Sequence, residues 1–150
     1  MGARKFHSLG SAQLLFKNIK SVYYNNCNET VTLPCHVNNI QSDDTRELFV
    51  KWKFKGKIIF TFDGPRNKSI PDSGFSTAKI NIQELLKGDG SLQMDKADAK
   101  LGNYTCEITE LTREGETVVE LKYHSEYKTE DEHRIIVSRS LGDLRAAWKG

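Results

Sequence analysis

No stretch of this 150-residue chain approaches the roughly 18 consecutive apolar residues that cross a bilayer as a helix, so as written it reads as soluble. Charge of one sign is also missing. Lys and Arg number 22 against 20 Asp and Glu, a net of +2, and they interleave without forming a basic stripe, which excludes nucleic acid as a partner. Of the histidines His7, His36, His124 and His133, three fall in the tails and one projects from a strand. None joins cysteines at ligand spacing, so no metal site is expected. No serine or cysteine meets a histidine with an orienting acid, and the chain is read as not an enzyme. No Gly-rich loop opens a helix, so neither a cofactor nor a small-molecule substrate is expected. Residues 1–12 have a basic start and a small-residue end but lack the 7–15-residue apolar centre of an export signal. They are set aside as a leader or remnant outside the domain. A second full domain does not fit; one domain over 13–124 and a tail over 125–150, expected to be disordered, fill the length.

What is present is organised around Leu101-Gly102-Asn103-Tyr104-Thr105-Cys106, read with Cys35 and Trp52. A cysteine, a later tryptophan and a Gly-x-Tyr-x-Cys strand form the frame of an immunoglobulin domain: a Cys35–Cys106 bridge between sheets, Trp52 packed on it, and Tyr104 bonding back to the backbone upstream. Closing so long a loop removes on the order of 4 kcal/mol of denatured-state entropy.

Strand signals accompany that frame. Leu48, Val50, Trp52 and Phe54 alternate with Phe49, Lys51, Lys53 and Lys55, and Val31, Leu33, Cys35 and Val37 alternate with Thr32, Pro34 and His36 as one strand, in which Pro34 cannot donate to a ladder and must face an edge or a bulge. Gln13–Phe16 and Ser21–Tyr23 suit a kinked first strand. Ile58–Phe62, Ala78–Ile82, Ser91–Met94, Leu101–Thr109 and Glu116–Tyr123 complete the set. Lys68–Phe75 reads as loop, and Asp95–Lys100 as a short helical turn. About nine strands favour an all-β, variable-type sandwich: two antiparallel sheets with Greek-key connections and one inter-sheet disulfide.

The third cysteine, Cys27, is left unpaired. With sequons at Asn28, Asn67 and Asn103, the pattern points to an oxidising, extracellular compartment and to glycosylation. Asn103 stands at the far end of its strand, roughly 25 Å from the hairpin tip at about 3.3 Å per residue.

Recognition is where the sequence says most. Glu107, Glu110, Glu114 and Glu116, with Arg113, surround a hairpin tip, Leu111-Thr112-Arg113-Glu114-Gly115, in which Gly115 is expected to supply positive φ. Glu47, Phe49, Lys51 and Lys53 share the adjacent outward sheet face. Crowded carboxylates steer and reward a basic partner, so Glu110→Lys or Glu114→Lys is expected to abolish binding while leaving the fold intact.

The runs Phe49-Val50-Lys51-Trp52-Lys53-Phe54-Lys55-Gly56, Thr61-Phe62-Asp63-Gly64, Leu85-Leu86-Lys87-Gly88-Asp89, Met94-Asp95-Lys96, Gly102-Asn103-Tyr104-Thr105-Cys106-Glu107 and Thr109–Thr117 closely resemble the extracellular domain of the integrin-associated protein family of leukocyte surface glycoproteins. The likeness extends from Gln13 to about Tyr123. It implies a domain on the outer face of the plasma membrane that binds signal-regulatory protein alpha on phagocytes and inhibits phagocytosis, and it implies association with integrins and thrombospondin. It assigns partner contact to Glu107, Thr109, Glu110, Leu111, Thr112, Arg113, Glu114, Gly115 and Glu116, with Glu47, Phe49, Lys51 and Lys53 alongside. Gln13 stands where the family's pyroglutamate amino terminus belongs, and can cyclise only if residues 1–12 are removed. Cys27 stands where the family bridges to its membrane portion, and Lys100 replaces the acid common four residues before the tyrosine. Ser125–Gly150 matches nothing in the family, and the lack of spans suggests a soluble or truncated competitor form. The alternative is a homophilic or glycan-binding adhesion module using the face around Phe49 and Lys51.

Overall fold

A computed structural model of the chain describes residues 13–128 and 134–139, with side chains through residue 124. The expected leader, residues 1–12, and segments 129–133 and 140–150 of the expected tail lie outside the described residues.

Ten strands are described: β1 Ser21–Tyr24, β2 Thr30–Leu33, β3 Leu48–Phe54, β4 Lys57–Asp63, β5 Lys68–Pro71, β6 Lys79–Ile80, β7 Leu92–Asp95, β8 Gly102–Glu110, β9 Arg113–Lys128 and β10 Arg134–Arg139. They form a large sheet in the order β1-β9-β8-β3-β4-β5, with β10 on β9, and a smaller sheet in the order β2-β7-β6. Such two-sheet packing follows from alternation. On β3 the buried residues are Leu48, Val50, Trp52 and Phe54 and the half-buried ones Phe49, Lys51 and Lys53, so one face enters the core and the other looks out.

Cys35 and Cys106 are bridged, with Cα atoms 6.4 Å apart. Trp52 is fully buried, and its indole Nε1 donates to the Gly90 carbonyl at 3.0 Å, satisfying the ring's one polar atom. The Tyr104 hydroxyl donates to the Lys100 carbonyl at 2.6 Å and accepts from the Lys100 amide at 3.0 Å. Burial pushes the Tyr104 phenol up to about 12. The region left without the usual acid at Lys100 is tied instead by Asp98, whose carboxylate accepts from the Thr77 amide and hydroxyl; those bonds hold its pKa below the usual carboxylate value.

The structure departs from the sequence reading in five places. The first is the strand expected over Val31–Val37: β2 ends at Leu33, and past Pro34 only isolated bridges remain, His36 to Asp89 and Val37 to Phe16. The second is Lys68–Phe75, expected as loop. Lys68–Pro71 forms β5 against β4, its side chains largely exposed and therefore without alternation. Third, Ala78–Ile82 yields a two-residue strand, because Asn81 caps a short helix, α1, over Ile82–Leu85 by accepting from the Gln83 amide. Fourth, β1 joins the edge of the large sheet parallel to β9, so that sheet is not antiparallel throughout. Last, β9 runs on to Lys128 and pairs with β10, where the tail was expected to be disordered; backbone pairing there needs no apolar alternation.

Candidate functional site: an acidic groove beside a braced hairpin

β8 and β9 pair from Gly102 and Leu121 out to Glu110 and Arg113, leaving Leu111 and Thr112 as the turn. Leu111 takes the positive φ of 53° and is 65% exposed. Gly115, expected to play that part, lies inside β9 with no positive φ. Its role is proximity. A Cβ there would sit 2.7 Å from the Phe16 ring and 2.9 Å from the Leu14 carbonyl, so its absence lets the amino-terminal segment lie flat on β9. Leu14 donates to the Glu114 carbonyl at 3.0 Å.

Beneath the turn are two buried charges. Glu110 is 3% exposed and Arg113 8%, and the Arg113 guanidinium donates to Glu110 Oε1. Glu110 Oε2 accepts from the Gln41 and Ser42 amides at 2.7 and 2.6 Å, while Arg113 Nη2 also donates to the Asn39 carbonyl at 2.7 Å. The pair therefore ties the hairpin to the loop before β3. Burial pushes the Glu110 carboxyl up, but Arg113 and the two amides outweigh that and hold it below its ordinary value. The sequence places Glu110 and Arg113 at the tip with their charges outward; the structure turns both inward as its base. Toward this pair Asn39, Gln41 and Ser42 act through backbone groups, which leave no sequence signal.

The outward face carries the remaining charge. Glu107 stands opposite Lys51 on β3 and opposite Glu116 on β9, and Thr109 stands opposite Phe49 and Glu114. Two facing glutamates repel, and Lys53 relieves them by an ion pair with Glu107 at 2.7 Å; that hydrogen bond, and the charge behind it, raise the Lys53 pKa. The Lys51 ammonium lies 5.5 Å from the centre of the Phe49 ring. Glu47 is half-buried and contributes backbone, its carbonyl accepting from the Leu111 amide at 3.1 Å. Glu114 and Glu116 remain exposed.

A groove of about 430 Å³ runs between Gln13 and Leu14 on one side and Glu107, Thr109, Glu114, Gly115 and Glu116 on the other. It thus gathers six of the residues singled out from sequence and adds Leu14 and Ile108, whose apolar character gave no hint of a site. Its carboxylates suit a basic side chain. Among the described residues no group of three or more His, Cys, Asp or Glu could hold a metal ion, and no helix is long and apolar enough to cross a membrane. Cys27 is an exposed free cysteine. Asn28, Asn67 and Asn103 are exposed, and Asn103 pairs with Glu120 at the end of the hairpin away from the turn.

Residues 5–133 match the family described as the CD47 immunoglobulin-like domain. The chain is 60% identical over 114 residues to the leukocyte surface antigen CD47 of Bos taurus, covering 76% of this chain and 38% of that protein. It is 48% identical over 137 residues to the protein of that name in Rattus norvegicus, covering 90% and 45%. The chain therefore spans under half the length of these curated relatives. Similarity at 26% identity over 94 residues, covering 63% of this chain and 31% of the other, extends to protein OPG166 of vaccinia virus. The crystal structure of the human B7-H4 IgV-like domain superposes with a TM-score of 0.59 at 16% identity, covering 73% of this chain and 96% of that one, a likeness of fold alone.

Proposed function

Since the chain belongs to the family of CD47 immunoglobulin-like domains, we propose that it is a non-catalytic ligand domain on the outer face of the cell, binding signal-regulatory protein alpha on phagocytes and restraining engulfment. Association with integrins and thrombospondin belongs to the same proposal. The observation that carries it is the groove, in which Gln13 faces Glu107, Glu114 and Glu116 across a hairpin held from beneath by a buried ion pair. A rigid acidic surface loses little freedom on binding and attracts a basic counterpart. Gln13, Glu107, Thr109, Leu111, Thr112, Glu114 and Glu116 present side chains to that partner, with Phe49, Lys51 and Lys53 along the flank. Glu47, Glu110, Arg113 and Gly115 shape the surface.

Surface plasmon resonance with Glu114→Lys tests the assignment. Affinity for signal-regulatory protein alpha falls by tenfold or more, and the melting temperature stays with the wild type because the side chain is exposed. Unchanged affinity rejects the groove as the contact. A second reading, adhesion between copies of the chain, draws on exposed Ile58, Ile70 and Val118 beside Lys51 and Lys53 on the same sheet. It predicts concentration-dependent dimers in analytical ultracentrifugation that Glu114→Lys leaves untouched.

A further inference from the structure

The segment Gln13–Phe16 belongs to no strand but joins its neighbours through isolated bridges, Gln13 to Glu114 and Phe16 to Val37, and its backbone is bonded on both edges. On one edge Leu14 donates to the Glu114 carbonyl at 3.0 Å. On the other, the Asn38 amide donates to the Leu15 carbonyl at 2.7 Å, and the Asn39 side chain makes two bonds: Nδ2 donates to the Gln13 carbonyl at 3.1 Å and Oδ1 accepts from the Leu15 amide at 2.8 Å. Residues two apart in a strand point their backbone groups the same way. A carboxamide, which presents an N–H and a C=O side by side in one plane, can thus replace a missing neighbouring strand. The backbone carbonyl of the same Asn39 receives Arg113 Nη2 at 2.7 Å, and Arg113 is paired to Glu110.

We propose that Asn39 is a positioning residue: its carboxamide holds Gln13 in the groove, and its carbonyl ties that hold to the buried pair under the hairpin, so both walls of the groove are set as one unit. The inference rests on the proposed receptor site. It adds how that site is assembled and why Gln13 and the hairpin act together.

Two substitutions separate this from a merely structural role. Asn39→Ala removes both side-chain bonds. Asn39→Asp keeps the acceptor for the Leu15 amide and loses the donor to Gln13. By hydrogen exchange in the full chain, the Leu15 amide opens at least about fivefold faster in Asn39→Ala, the effect of one typical hydrogen bond. It stays near wild type in Asn39→Asp, while Trp52 in the core is unchanged in both. Affinity for signal-regulatory protein alpha falls about fivefold or more in both variants, since each releases Gln13. Arg113→Lys, which loses the planar reach to Asn39, also speeds Leu15 exchange. Unchanged Leu15 exchange in Asn39→Ala overturns the proposal, as does unaltered affinity in both variants when the wild type binds. A wild-type chain that fails to bind the receptor defeats the receptor reading alone, and Leu15 exchange across the three variants still decides the positioning.

Discussion

Glu110→Ala separates a tip residue from a foundation residue. Glu110 is 3% exposed and accepts from Arg113, Gln41 and Ser42. Truncation deletes all three bonds, including the one from a guanidinium that is itself 8% exposed, and removing one partner of a buried pair costs about 3–5 kcal/mol. A fully solvated glutamate on a loop costs within about 0.5 kcal/mol. Urea denaturation at pH 7 followed by tryptophan fluorescence distinguishes the two, since Trp52 is buried in the core. The pH dependence supplies a second check. The folded carboxyl lies below its ordinary value of 4.5, so its stabilisation is complete above that pH and fades as pH falls through the lower folded value. The gap between wild type and Glu110→Ala is therefore widest at neutral pH and narrows in acid. A stability loss under about 1 kcal/mol at pH 7, or a gap that widens in acid, refutes the inward assignment. The expectation that Glu110→Lys spares the fold is withdrawn on the same ground.

Tyr104→Phe leaves the Lys100 amide and carbonyl without the hydroxyl they share and lowers stability by about 1–3 kcal/mol in urea. Because the folded phenol is raised from 10.0 to about 12, its stabilisation is full below pH 10 and is lost as pH rises toward 12, so the variant unfolds less steeply in alkali. Gly115→Ala forces a methyl against Phe16 and the Leu14 carbonyl, lifting the amino-terminal segment. It lowers the melting temperature by an amount equivalent to about 1–3 kcal/mol and speeds exchange of the Leu14 amide.

The sandwich was legible because its signals are local and periodic: alternation on β3, and a Cys35, Trp52, Tyr104 and Cys106 set whose types leave few other uses. β5 was not, since a strand exposed on both faces has no period to read. At the site, types could be read, and the period of two that turns Tyr104, Cys106 and Ile108 inward turns Glu110 inward as well, but long-range partners could not be read. Glu107, Glu114 and Glu116 face out as their positions on a hairpin suggest. Glu110 belongs to the same charge run, yet its carboxylate turns under the turn to meet amides from a loop 68 and 69 residues away in sequence, a pairing that no local pattern encodes. Gly115 shows the same limit, its meaning set by Leu14 and Phe16 crossing over it.

The central claim, that one acidic groove beside the braced hairpin receives the partner, is tested most directly by titrating the isotopically labelled chain with the signal-regulatory protein alpha ectodomain and mapping amide shifts. The account predicts the largest changes at Gln13, Glu107, Thr109 and Leu111–Glu116, with β2, β6 and β7 silent. Shifts centred on the β2-β7-β6 sheet, with the groove silent, contradict it.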